Sequence, residues 1–257
     1  MTTVNYLLPI VFIACSTTPP GVADGAGRAP ADRAPSGAIL GQSNAVGTGT
    51  DLARTRVTDV LWREHTEIFF TNELVERDWG DLRTRPGGKF GPEFGIAAVA
   101  PPDLTLEKFA IGSTPLAPGG DRPAWLPSAG EIYPRALAFL ASGPLPDFVF
   151  WWQGETDAAD LEKARAYGEN LAALSTALRE DLGAPALVFI AGRVRADSPQ
   201  AYAAEERASL EGWESSANLL LDVDDVPVGA DGLHYGNLAL DEVGRRVWAA
   251  YSAKGLQ

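Results

Sequence analysis

The stretch "GAILGQSNAVGTGTD", residues 37 to 51, decides how the chain is read. "GAIL" is a short apolar run bounded by glycine, which suits a buried strand. "GQSN" follows at once, and glycines and a carboxylate come after it. Ser43 there is either one more serine in a tight turn or a nucleophile lifted out of a strand end, and the tetrapeptide alone does not separate the two. The rest of the chain has to supply the partners that a nucleophile needs.

Working outward, further apolar runs of strand length occur at "EIFF" (67–70), "LEKFA" (106–110), "DFVFWW" (147–152), "ALVFI" (186–190) and "NLLLD" (218–222). Amphipathic stretches lie between and after them: 92–100, 131–141, 160–182, 199–215 and 237–253. In the third, Leu161, Ala164, Tyr167, Leu171, Leu174 and Leu178 recur at helical spacing. Strand and helix in alternation predict a parallel sheet covered by helices on both faces, an α/β fold. In such sheets ligands sit beyond the carboxyl ends of the strands. The polar residues just after the apolar runs, "GQSN", "QGETD" (153–157) and the loop leading to "ADGLHY" (230–235), are therefore the ones to weigh.

Histidine is scarce. His65 and His234 are the two candidates for a base, and Cys15 is the single cysteine, so the sequence can hardly assemble a zinc ligand set; carboxylates leave a hard-cation site open, but no EF-hand-like spacing occurs and no cofactor is expected. His234 has Asp231 three residues before it, where a carboxylate can hold Nδ1 and leave Nε2 to take a serine proton. His65, in "WREHTEIFF", reads as a solvated residue at a strand entry. Donors for an oxyanion are available in the Ser43 N–H, in Gly91 before the predicted helix at Pro92, and in the Gln153 amide after "FVFWW". Among the tryptophans, Trp151 and Trp152 read as core, whereas Trp62, Trp79 and Trp125 stand in loop-like contexts suited to a substrate cleft.

"GQSN", "FGPE" (90–93), "WWQGETD" (151–157) and "DGLHY" (231–235) occur in the order and approximate spacing of the SGNH-hydrolase superfamily. The branch they resemble most is that of sialate O-acetylesterase-like and acetylxylan-esterase-like proteins, carbohydrate esterase family 6. The resemblance runs from about residue 37 to the C-terminus. It implies a three-layer α/β/α fold with a flavodoxin-like, mostly parallel sheet, and a serine esterase that removes O-acetyl groups from carbohydrates. Carried over, Ser43 is the nucleophile, His234 the base and then acid, and Asp231 the orienting carboxylate. The oxyanion hole comes from the Ser43 and Gly91 amides with the Gln153 side chain. Gln42 and Asn44 frame the serine, and the role of Glu155 is open. Lys108 and "GST" (112–114) resemble that branch's "K...GGT" segment, with Ser113 where glycine is common. A non-catalytic glycan-binding protein and a sugar O-acetyltransferase are the competing readings.

Composition bounds the partners and the compartment. Acidic residues outnumber basic ones 34 to 21, for a net charge of −13, and no basic run offers a footprint for nucleic acid. "NYLLPIVFIAC" (5–15) reads as a signal peptide ending in a lipobox-like cysteine, so Cys15 is expected to carry a lipid and to be the chain's one link to a membrane, in an exported, envelope-bound protein; the alternative is an ordinary cleaved signal and a secreted or periplasmic protein. Residues 16–36, rich in Pro, Ala and Gly, read as a flexible tether, and 37–257 as a single esterase domain. An acetylated carbohydrate is the expected partner. Arg54, Arg56, Arg83 and Arg85 lie in segments expected to be loops, 48–65 and 71–90, where they would meet either a carboxylated sugar or solvent.

Overall fold

The computed structural model describes residues 34–51, 57–68, 71 and 73–255. The expected signal peptide, Cys15, most of the tether, Arg54 and Arg56, and the last two residues of "EIFF" lie outside them. Seven strands make one sheet: β1 (Ser36–Gly41), β2 (Val57–Ile68), β3 (Glu73–Leu82), β4 (Thr105–Gly112), β5 (Phe148–Trp152), β6 (Val188–Gly192) and β7 (Asn218–Leu221). Among the described residues six α-helices accompany it: α1 (Ser43–Val46), α2 (Glu93–Ala97), α3 (Ile132–Ala141), α4 (Leu161–Asp181), α5 (Ala203–Ser209) and α6 (Asn237–Gly255). Strand β1 begins at Ser36, one residue inside the segment read as tether.

The spatial order is β3-β2-β4-β1-β5-β6-β7, and every neighbouring pair is parallel except β2 with β3. The run β4-β1-β5-β6-β7 has the 2-1-3-4-5 order of flavodoxin-like sheets, whose ligand crevice opens beside the first strand. The fold is thus the α/β architecture the sequence implied, with a β2–β3 hairpin added at one edge.

Alternation along the strands divides the core into two faces. Ile39, Phe148, Phe150 and Trp152 pack with Phe94, Ile96, Leu240 and Val243 of α2 and α6. Ala38, Leu40, Val149 and Trp151 pack with Tyr133, Leu140, Tyr167, Leu171 and Leu174 of α3 and α4. Helix α4 starts where Asp160 Oδ1 accepts the Glu162 and Lys163 N–H groups at 3.0 and 3.1 Å. Of the positions the helical spacing named, all but Leu161 are buried, and Gly168 and Ser175 join them.

The hairpin corrects the expectation of loops at 48–65 and 71–90. Two of its charges are buried beside a strand that carries counter-charges in register: Arg63 lies opposite Glu107 and Glu64 opposite Lys108. Arg63 Nε donates to Glu107 Oε1 at 3.1 Å, and burial pushes the Glu107 carboxyl up to about 7 despite that bond. His65 is also not a solvated residue at a strand entry. It lies within β2, stacked on Phe109 at 4.5 Å, with its ring nitrogens on Glu76 and Glu67. Trp62 and Trp125 are core residues, 1 % and 0 % exposed, and not cleft walls; Trp79, half-buried on β3, stacks on Arg63. Arg85 is buried with Nη2 donating to Val46 O, and Arg83 is exposed.

Candidate active site

Three parallel strands end side by side at Gly41, Gly112 and Trp152, and the polar blocks leave the sheet there. Gly41 has φ 137°, and a Cβ on it would stand 2.1 Å from Trp152 O, so only glycine fits. The Gln42 N–H extends the ladder by donating to Trp152 O at 3.0 Å. The chain then turns directly into α1 with Ser43 as its first residue, and Gly47 closes that short helix in the left-handed conformation. Ser43 is therefore held on a strand-to-helix turn, and its N–H, at a helix start, bonds no described residue.

A cavity of 330 Å³ opens above this turn. Ser43 and His234 both line it, with Gln42, Asn44, Ser113 and Glu155 among the other walls. His234 Nδ1–H donates to Asp231 Oδ2 at 2.6 Å, while Asp231 Oδ1 accepts the Leu233 and His234 N–H groups at 3.0 Å each. Partial burial raises the Asp231 carboxyl, but the His234 backbone and imidazole and the Leu233 N–H outweigh it and hold the group at about 2. Asp231 is thus an ionised acceptor that fixes the imidazole tautomer with Nε2 free of it.

Glu155 ties the blocks together. Its Oε2 accepts from Gln42 Nε2 at 2.8 Å and its Oε1 from Asn44 Nδ2 at 2.7 Å. Asn44 also donates to Leu233 O at 3.1 Å, so the serine turn and the histidine loop share one side chain. Burial pushes the Glu155 carboxyl up, more than its own backbone, Asn44 and the charge of His234 lower it. A buried acidic group lies behind it. Glu206 of α5 is 0 % exposed, neither carboxyl oxygen has a hydrogen bond among the described residues, and burial with the charges of Glu155 and Asp157 raises it to about 8. Gly154 runs past it, with its missing Cβ 3.2 Å from Glu206 Oε1.

Three residues expected at the site stand elsewhere. The Gly91 N–H donates to Glu93 Oε1 at 2.8 Å, beneath α1, and so does not face the cavity. Lys108, fully buried, donates to the same oxygen at 2.7 Å; burial lowers its pKa while Glu93 and Glu64 oppose the shift. The pair fastens the 90–91 turn under the serine helix rather than touching a substrate. Gln153, also fully buried, has its amide N–H groups among Asp157 Oδ2 (2.6 Å), Thr114 O (3.1 Å) and Gln42 Oε1 (3.3 Å).

In place of Gly91 the structure brings Ser113, at the end of β4, to the cavity. Its φ of 64° is in the left-handed region, and its N–H bonds no described residue. The "GST" segment carried that signal through its likeness to "GGT". Thr156, within "QGETD", lines the cavity as well; Arg122 and Gln200 also line it, and nothing in their sequence context marked them.

The family model for "carbohydrate esterase, sialic acid-specific acetylesterase" matches residues 38–253. The chain belongs to that family. A probable carbohydrate esterase of Arabidopsis thaliana is 28 % identical over 165 residues, a match that spans 63 % of either protein, less than two thirds of the relative's length. Among solved structures, one from Arabidopsis thaliana aligns with a TM-score of 0.65 at 22 % identity, covering 86 % of this chain and 99 % of that one. A carbohydrate acetylesterase from Xanthomonas citri aligns at 0.56 and 18 % identity over 84 % of this chain and 55 % of that one. Another, from Sinorhizobium meliloti, aligns at 0.54 and 15 % identity over 85 % and 99 %. These likenesses establish the shared fold.

Proposed function

We propose that the chain is a carboxylic-ester hydrolase that removes acetyl groups from O-acetylated carbohydrates through an acyl-enzyme on Ser43. The observation that carries this reading is the 2.6 Å His234–Asp231 bond at the wall of the cavity that Ser43 also lines. His234 Nε2 takes the Ser43 proton as Oγ attacks the acetyl carbon. The resulting oxyanion is met by the Ser43 and Ser113 N–H groups, backbone donors at that wall that bond no described residue. Collapse breaks the bond to the sugar oxygen, which leaves with the proton from His234. Water, deprotonated by His234, then attacks the acyl-serine and releases acetate. Asp231 keeps the imidazole oriented throughout, and Glu155 holds the serine turn through Gln42 and Asn44.

The family description supports a carbohydrate ester as substrate, and the resemblance to the sialate and xylan esterases supports acetyl as the acyl group. An exported, lipid-anchored protein is the setting in which such a glycan would be met, and palmitate labelling of the wild type but not of Cys15→Ser tests that part. The chemistry is tested by acetate release from acetylated sugars. Ser43→Ala and His234→Ala are each expected to lose about 10³-fold or more. Wild-type rates in either variant refute the assignment.

A further inference from the structure

We propose that the Ser113 hydroxyl is a third oxyanion donor, hydrogen-bonding the acyl oxygen in the tetrahedral intermediate. This rests on the ester-hydrolysis reading above. The side chain departs from the glycine that the resembling segment carries. It does so where a side chain is disfavoured: the described residues with left-handed φ are glycines except Asp103, on an exposed turn, and Ser113. A strained residue at the wall of a reaction cavity asks for a use of its side chain.

The surroundings enforce the conformation. Arg122 Nη1 donates to Ser113 O at 3.1 Å, and Thr114 Oγ1 donates to Ile111 O at 2.7 Å while accepting from Trp125 Nε1 at 2.9 Å. Gln153 Nε2 holds Thr114 O, and Asp157 accepts the Leu116 and Ala117 N–H groups at 2.8 and 2.9 Å. The buried amide nominated as third donor is therefore spent on fixing this turn. Ser113 Oγ has no hydrogen-bond partner among the described residues, and the residue stands at the end of β4 beside the end of β1, from which Ser43 springs. A neutral hydroxyl there supplies a donor to developing negative charge with no counter-charge to desolvate.

The test compares full-chain Ser113→Ala and Ser113→Gly with wild type on 4-nitrophenyl acetate and on an acetylated sugar, with Ser43→Ala alongside. Both Ser113 variants keep the backbone N–H. Each is expected to lose about tenfold or more in kcat with KM within about twofold, and Ser113→Gly is expected to melt no lower than wild type. A kcat within about twofold of wild type in both, with Ser43→Ala inactive, overturns the hydroxyl's role and leaves the esterase reading standing. Slow Ser113→Gly accompanied by a lower melting temperature also overturns it, because the residue is then structural. Wild-type activity in Ser43→Ala fails the esterase reading itself.

Discussion

Glu206→Gln should make the protein more stable, and increasingly so as pH rises. The carboxyl is fully buried and has no hydrogen-bond partner among the described residues; the charges of Glu155 and Asp157 raise its pKa further, and those of Arg207 and Arg193 oppose them. The unfolded chain releases this proton near 4.5 and the folded chain near 8. Between those values the folded state holds a proton that the unfolded state has lost, so stability falls as pH rises and levels off above about 8. A shift of that size corresponds to about 5 kcal/mol, of which about 4 kcal/mol accrues between pH 5 and 8. Glutamine has nearly the shape of the protonated acid and cannot ionise, so it removes this slope. Domains of this size move by about 2–4 °C per kcal/mol, so the variant's advantage in melting temperature should grow by about 10 °C from pH 5 to pH 8. Thermal melts of both proteins at pH 5, 6, 7 and 8 read it directly. An advantage that is the same at every pH refutes the reasoning, because the carboxyl would then titrate alike in both states.

Lys108→Met leaves the buried Glu93 carboxylate without its ammonium and should cost about 3–5 kcal/mol in urea unfolding, with Glu93→Gln on top recovering part of it. Asp231→Asn should leave stability within about 1 kcal/mol, since the carboxylate is half-exposed, yet lower kcat by about 10⁴-fold through loss of the imidazole tautomer. With its carboxyl held at about 2, Asp231 stays ionised from about pH 3 upward, so an acid limb in the activity profile above that value belongs to another group.

The central strands were legible because both their faces are buried: β1, β5 and β6 read as nearly unbroken apolar runs. Helix α4 was legible through its spacing. Of the β2–β3 hairpin only the end of β2, in "EIFF", was read, because the inward positions of β3 mix Val75 and Trp79 with Arg77, which pairs with Glu64 at 3.2 Å. A strand whose buried charges are neutralised by its neighbours shows no binary pattern until those neighbours are known. The same limit applied at the site. Ser43, His234 and Asp231 were named by residue type and local spacing. The choice of Gly91 over Ser113 turned on which loop N–H was already taken, and Glu93, two residues beyond Gly91, folds back to take it.

The bonds through Asn44 also set an order of events in making the protein. That side chain donates to Leu233 O and accepts the Tyr235 N–H, across 189 and 191 residues of chain. A ribosome-bound chain therefore carries its reactive serine long before it carries the imidazole, and the serine stays an ordinary alcohol in the meantime. Fragments ending before the histidine loop lack the base, while closure of so long a segment places completion of the centre among the slow, late contacts of folding. Appearance of activity during refolding is thus a reporter of the whole domain having closed, not of its first strands having paired.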